Sequence, residues 1–183
     1  MGGKKAKRSL TQAARREQPD FHALFLGLGQ SGPRRISYSA RFDSCLRHDL
    51  QFLASLVHDA RLQRPNVVQR GQRISIAIER DCWELGVERD GDLYVAPAVF
   101  RASPVRAVEW RLVEPVGREP GAELSLVDLY LAEDFYDREL ANFTLVLGGQ
   151  GWSCRLLLDR ERASIELSDR QEPVLSRLYY AGR

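Results

Sequence analysis

Apolar and polar residues alternate most cleanly over residues 142–168, NFTLVLGGQGWSCRLLLDRERASIELS. With turns at 148–151 and 159–162 the stretch reads as a β-meander. Leu147 then lies opposite Trp152, Leu145 opposite Cys154 and Phe143 opposite Leu156; beyond the second turn, Leu158 meets Ala163, Leu156 meets Ile165 and Cys154 meets Leu167. Every one of these residues falls on one face. Thr144, Ser153, Arg155, Ser164 and Glu166 occupy the other, which predicts an exposed Arg155–Glu166 ion pair and a solvent-tolerant Thr144, with Val146 and Leu157 as exceptions. Burying a large apolar side chain gains about 1.5–3 kcal/mol, against about 1–2 kcal/mol to order each residue, so the apolar face needs a covering layer.

Residues 43–57 supply one candidate cover. Leu46, Leu50, Leu53 and Val57 recur at helical spacing beside Cys45, Phe52 and Leu56, and Asp43 or Ser44 suits the N-cap. Further strands are expected at 59–64, at 73–78 (Ile74, Ile76 and Ile78 on one face), at 105–113 and at 123–131. Residues 82–88 and 93–100 flank Arg89-Asp90-Gly91-Asp92 as a hairpin, and 173–180 form a short terminal helix. The apolar run 21–28 enters GLGQSG, which matches a dinucleotide-binding glycine pattern at Gly27, Gly29 and Gly32. The residues after it look extended, whereas that pattern must open a helix, so it reads as a glycine-rich connection between strands. The expected architecture is mainly β (α+β): an antiparallel, sandwich-like domain with a C-terminal meander and one packed amphipathic helix.

Composition and charge divide the chain. Of 183 residues, 44% are hydrophobic and 9% aromatic, enough for a core in one domain over residues 20–183. Residues 1–19 carry Lys4, Lys5, Lys7, Arg8, Arg15 and Arg16 against Glu17, a net +5; the chain total is +2, which leaves −3 for the rest. That segment reads as a disordered basic arm. No apolar run is long enough to span a bilayer and no secretory leader is evident, so a soluble cytoplasmic protein without membrane contact is expected. Cys45, Cys82 and Cys154, odd in number and far apart, read as reduced thiols.

Three groups of residues bear on chemistry. Cys45 and His48 lie three apart on the predicted helix but lack the second ligand pair that structural zinc uses, so no metal and no cofactor are expected. His58 and Asp59, with Asp128, would serve a hydrolase-like or cation-dependent enzyme, the side chain of Asp128 sharing a strand face with Leu124, Leu126 and Tyr130. Glu133, Asp134, Asp137 and Glu139 form an acidic loop suited to a basic partner. The leading expectation is a non-enzymatic binding or regulatory module with a protein partner. The alternatives are that enzyme and weak RNA or DNA contact through the basic arm.

Affinity carried by the arm is sequence-independent and salt-sensitive, with a log–log slope of about −3 to −5 when most of its cations neutralise duplex phosphates at about −0.9 each. Comparing RNA and duplex DNA binding by the full chain and by a chain beginning at Asp20, over a salt series, checks it. Equal binding by both removes the arm from consideration.

Overall fold

The alternating apolar faces become two antiparallel sheets packed one on the other. The computed structural model describes residues 21–30, 32–40, 46–63, 66–88, 91–112, 123–126, 128–137 and 139–181. The strands are β1 (Ser37–Ala40), β2 (Ala60–Gln63), β3 (Val67–Arg70), β4 (Arg73–Asp81), β5 (Tyr94–Ser103), β6 (Val105–Leu112), β7 (Glu123–Leu126), β8 (Asp128–Leu131), β9 (Asn142–Gly149), β10 (Trp152–Asp159), β11 (Ser164–Asp169) and β12 (Val174–Leu175); the helices are α1 (Phe21–Gln30), α2 (Leu46–Val57) and α3 (Ser176–Ala181). The larger sheet runs β1-β11-β5-β4-β2-β7, with β3 also on β4 and β12 on β5; the smaller runs β6-β10-β9-β8.

Ile74, Ile76, Ile78, Phe100, Ile165 and Leu167 of the larger sheet share one core with Phe143, Leu145, Leu147, Cys154, Leu156 and Leu158 of the smaller. Helix α2, which falls within the expected 43–57, adds Phe52, Leu53, Leu56 and Val57 and lies against β1, β4 and β8, so it touches both sheets. Trp152 ties the layers as well, its Nε1–H donating to the carbonyl of Ser125 at 3.0 Å. No described helix is long and apolar enough to cross a membrane.

The meander is half correct. β9 and β10 do form a hairpin, but its turn is the two residues Gln150 and Gly151, the latter at φ 76°, so Gly149 faces Trp152. Leu147 therefore pairs with Cys154, Leu145 with Leu156 and Phe143 with Leu158. A slip of two residues keeps every side chain on its face, which is why the burial pattern survives the wrong register. β11 does not pair with β10 at all. It crosses to the larger sheet, between β1 and β5, with Leu167 opposite Phe100 and Ile165 opposite Ala102, while β10 takes β6 as its other neighbour. The apolar face of the hairpin is thus covered by the next strand folded over it. The expected Arg155–Glu166 pair is replaced accordingly: Arg155 lies opposite Glu109 of β6, Nε to Oε2 3.8 Å, and Glu166 opposite Arg101.

Other expectations change for similar reasons. The single strand at 123–131 is two, β7 in the larger sheet and β8 in the smaller; passing between layers reverses the parity, so Leu124, Leu126 and Leu129 are buried and Asp128 and Tyr130 face out. Residues 82–88 are not a strand. Trp83–Leu85 form a 3-10 turn, Val87 and Leu93 make one bridge, and the hairpin is built by β4 with β5, Asp81 opposite Val95. The run at 21–30 is helix α1, not a connection between strands, and it packs on that turn. Gly29 is required there, since a Cβ would lie 2.1 Å from the Glu84 carbonyl oxygen. Because Gly27 and Gly29 sit inside a helix rather than before one, the dinucleotide pattern has no structural counterpart. At the C-terminal end Val174–Leu175 joins β5 before α3, close to the short helix expected at 173–180.

Thr144 is not solvent-tolerant: its hydroxyl and backbone N–H both donate to Asp134, and it is 7% exposed. Leu145→Asp, which puts a charge where exposure is 0%, abolishes the cooperative urea transition. Thr144→Val retains it but lowers stability by about 1–3 kcal/mol by leaving a carboxylate oxygen unmatched.

Candidate functional site

The sequence-predicted acid–base residues are only partly brought together. Helix α2 ends at Val57; His58 follows, and Asp59 takes a left-handed φ of 61° that turns the chain into β2. His58 Nε2 lies 3.5 Å from Asp59 Oδ2, with side chains 50% and 42% exposed. His58 and Asp128 line one open groove of about 390 Å³ with Ala54, Ser55, Trp83 and Leu129, and Asp59 is not among its walls. A half-exposed imidazole beside an equally exposed carboxylate lacks the water-excluded setting in which an acid–base pair is tuned. Cys45 lies outside the described residues, so its pairing with His48 has no geometry here. Burial pushes the Cys82 and Cys154 thiols up to about 12, in Cys82 despite the Arg80 guanidinium, so neither is a thiolate nucleophile near neutral pH.

Two carboxylates of the acidic loop, Asp134 and Asp137, are engaged internally. Asp134 accepts from the Thr144 backbone N–H at 3.0 Å as well as from its hydroxyl, extending the β8 edge of the sheet past Leu131, and Asp137 Oδ1 accepts from the Glu139 N–H at 3.0 Å. Arg160 holds the loop from below. Its guanidinium donates to the carbonyls of Leu140 (2.8 Å), Phe135 (3.0 Å), Asp137 (3.0 Å) and Asp134 (3.2 Å) while lying over the Phe135 and Phe143 rings. Glu133 and Glu139 stay exposed, and among the described residues no group of His, Cys, Asp or Glu is arranged to hold a metal ion. Lys4, Lys5, Lys7, Arg8, Arg15 and Arg16 lie outside the described residues.

Sequence reasoning missed two arginine sites. The first is internal. Arg80 continues the inward row of Ile74, Ile76 and Ile78 yet is 0% exposed. Its Nε and Nη2 donate to Asp169 Oδ1 and Oδ2 at 2.8 and 2.9 Å, and Nη1 lies 2.8 Å from Glu84 Oε1. Burial works against the charge, but the Asp169 hydrogen bonds and the neighbouring carboxylates outweigh it and hold the guanidinium pKa above its ordinary value.

The second is external. β3 and β4 form a hairpin around Gly71 and Gln72, which sets Arg70 directly opposite Arg73. On the same outer face Ser75 pairs with Val68 on one side and with Arg101 of β5 on the other. Arg70, Arg73, Arg101, Ser75 and Val68 line one hollow of about 340 Å³. Arg101 donates to Ser168 Oγ at 2.8 Å; among the described residues neither the Arg70 nor the Arg73 guanidinium has a carboxylate or hydrogen-bond partner. The signal was present in Arg70-Gly71-Gln72-Arg73, since arginines flanking a two-residue turn must face each other.

Comparison with protein-family models, with curated proteins and with solved structures finds no match. The site therefore stands on its own chemistry. Asp169→Ala lowers stability by about 3–5 kcal/mol in urea denaturation, because it strips a buried guanidinium of its bidentate partner. Glu139→Ala, at the exposed end of the acidic loop, stays within about 0.5 kcal/mol.

Proposed function

We propose that this chain is a non-enzymatic binding module, working in the cytoplasm, whose partner is anionic and docks on the arginine face of the larger sheet. The observation that carries the reading is the cross-strand pair Arg70–Arg73 beside Arg101, three guanidinium groups around one hollow with no carboxylate partner for the first two among the described residues. Like charges directly opposite on neighbouring strands are destabilising. Where the same fold buries an arginine, at Arg80, it supplies two carboxylates; at the hollow it leaves the charge for something else to neutralise. Guanidinium forks match the paired oxygens of carboxylates and phosphates, and the Ser75 hydroxyl adds a donor between them.

The reading moves the expected contact from the acidic loop, where Asp134 and Asp137 are bound within the chain and Glu133 and Glu139 stay exposed, to a surface of opposite sign. Residues 20–183 carry a net −3, yet this face is locally basic, because a net charge averages over faces that are locally unlike. Replacing Arg70 and Arg73 together by Ala weakens binding of a heparin oligosaccharide at low salt by about tenfold or more, each lost contact removing a counterion-releasing charge. The melting temperature stays the same or rises, since a like-charge pair is removed. Unchanged heparin affinity sinks the proposal.

A further inference from the structure

We infer that the anionic partner is a nucleic-acid duplex, held by its phosphate backbones along rows of outward residues that cross the larger sheet. The inference rests on the reading of this face as an anion-binding surface and names its ligand. Strand register defines the rows. Val68 lies opposite Ser75, Ser75 opposite Arg101, Arg101 opposite Glu166 and Glu166 opposite Ser39, one line across β3, β4, β5, β11 and β1. Beside it run Arg70 opposite Arg73 and Ser103 opposite Ser164, and on the other side Ser168 opposite Ser37, next to Val99, which is buried and offers a ligand nothing. At about 4.8 Å between strands, five strands cover roughly 19 Å, wider than a major groove of about 12 Å, so the rows together, from Arg70 on β3 to Ser37 and Ser39 on β1, can reach phosphates on both of its walls.

The chemistry of the rows selects the ligand. Arginine and serine dominate phosphate contacts, and Glu166 is the one acid among these positions, its carboxylate accepting from the Ser164 hydroxyl at 3.2 Å. No residue of the rows is aromatic, so they offer no platform on which unpaired bases could stack, and a single strand gains nothing here that a duplex does not. A phosphopeptide would use the hollow alone, whereas the donors extend two strands beyond it, through β11 to β1. Lys4, Lys5, Lys7, Arg8, Arg15 and Arg16, also without interleaved aromatics, add cations of the same kind on the same chain. Recognition is of backbone charge and shape, not of base sequence.

The test uses the full chain with 20-base-pair DNA and RNA duplexes, the matching single strands, heparin and a phosphoserine peptide, each over a salt series. Both duplexes bind at least as tightly as the single strands. Replacing Arg70, Arg73 and Arg101 by Ala reduces the magnitude of the log–log salt slope by about 2.7, three phosphates at about 0.9 each. Replacement of all three by Lys restores most of that slope, which separates lost charge from lost structure. A chain with the six arm cations changed to Gln retains the contribution of the face. An unchanged slope in the Ala variant, preference for single strands, or tighter binding of the phosphopeptide overturns the inference. If heparin binding falls in that variant while no duplex binds, the duplex is wrong and the anion-binding face stands; if heparin binding is unchanged as well, both fall.

Discussion

A guanidinium with no solvent exposure sits at the end of the hydrophobic core, and much of the fold is arranged to tolerate it. An uncompensated charge at Arg80 would be destabilising by several kcal/mol. Compensation comes from segments far apart in sequence: Asp169 at the end of β11 and Glu84 in the turn after β4. Asp169 also accepts from the Ile36 N–H at 3.0 Å and returns its own N–H to the Ile36 carbonyl at 2.9 Å, which brings in the approach to β1. The clasp has to cross β5, and the residues there are small: Arg80 lies opposite Ala96 and Asp169 opposite Ala98. Buried ion pairs add little net stability compared with apolar packing, but they discriminate sharply against arrangements that separate the partners. Here the discriminated quantity is strand order, because placing β11 beside β10, where simple alternation puts it, would take Asp169 away from Arg80.

That choice explains how much of the architecture was legible. Period-two alternation reports which face of a strand is buried, and on that point Leu145, Leu156, Ile165 and Leu167 behave as their pattern requires. It does not report which strand lies alongside. Ile165 contributes to the same core whether it sits next to Leu156 in one sheet or across from it in another, and the deciding contact, Asp169 with Arg80, spans β5 and appears in no local pattern. The parity error at Asp128 has the same origin. A chain that changes sheets within one apolar run reverses its inward set, and nothing between Leu124 and Leu131 marks the change except the loss of strict alternation. Helix α1 was missed because FHALFLGL is apolar all round, so its period could not be read, and its two glycines argue against a helix until the close approach of Gly29 to Glu84 is seen.

The candidate site was less legible than the fold, for an electrostatic reason. Acidic residues cluster in sequence around Asp134, and clustering drew attention to them; Thr144 engages Asp134 and Arg160 engages the loop carbonyls, while Glu133 and Glu139 stay exposed. The arginines of the outer face are dispersed as residues 70, 73 and 101 and converge only through the pairing of β3, β4 and β5. Sequence proximity brought out the first group and concealed the second. Only the Arg70–Arg73 pair was accessible without a sheet topology.

The two arginine sites are mechanically linked, because β4 and β5 carry both. Arg80 lies on the inner face of β4 and pins it to β11 across β5; Arg73 and Ser75 lie on the outer face of β4, and Arg101 on that of β5. The backbone beneath the outer arginines is therefore set by the core, and ligand binding has no strand to order. What remains to be ordered is the side chains, at about 0.5–1.5 kcal/mol for each rotamer-rich group. Charge-assisted hydrogen bonds contribute about 1.5–3 kcal/mol each, so three arginines leave a modest surplus that salt erodes further. A face of this kind binds firmly only when many such contacts act together. Neighbouring rows that together place donors on five strands and a segment of the same chain with six more cations are two ways of multiplying them, and both favour a long repeating anion over a compact one.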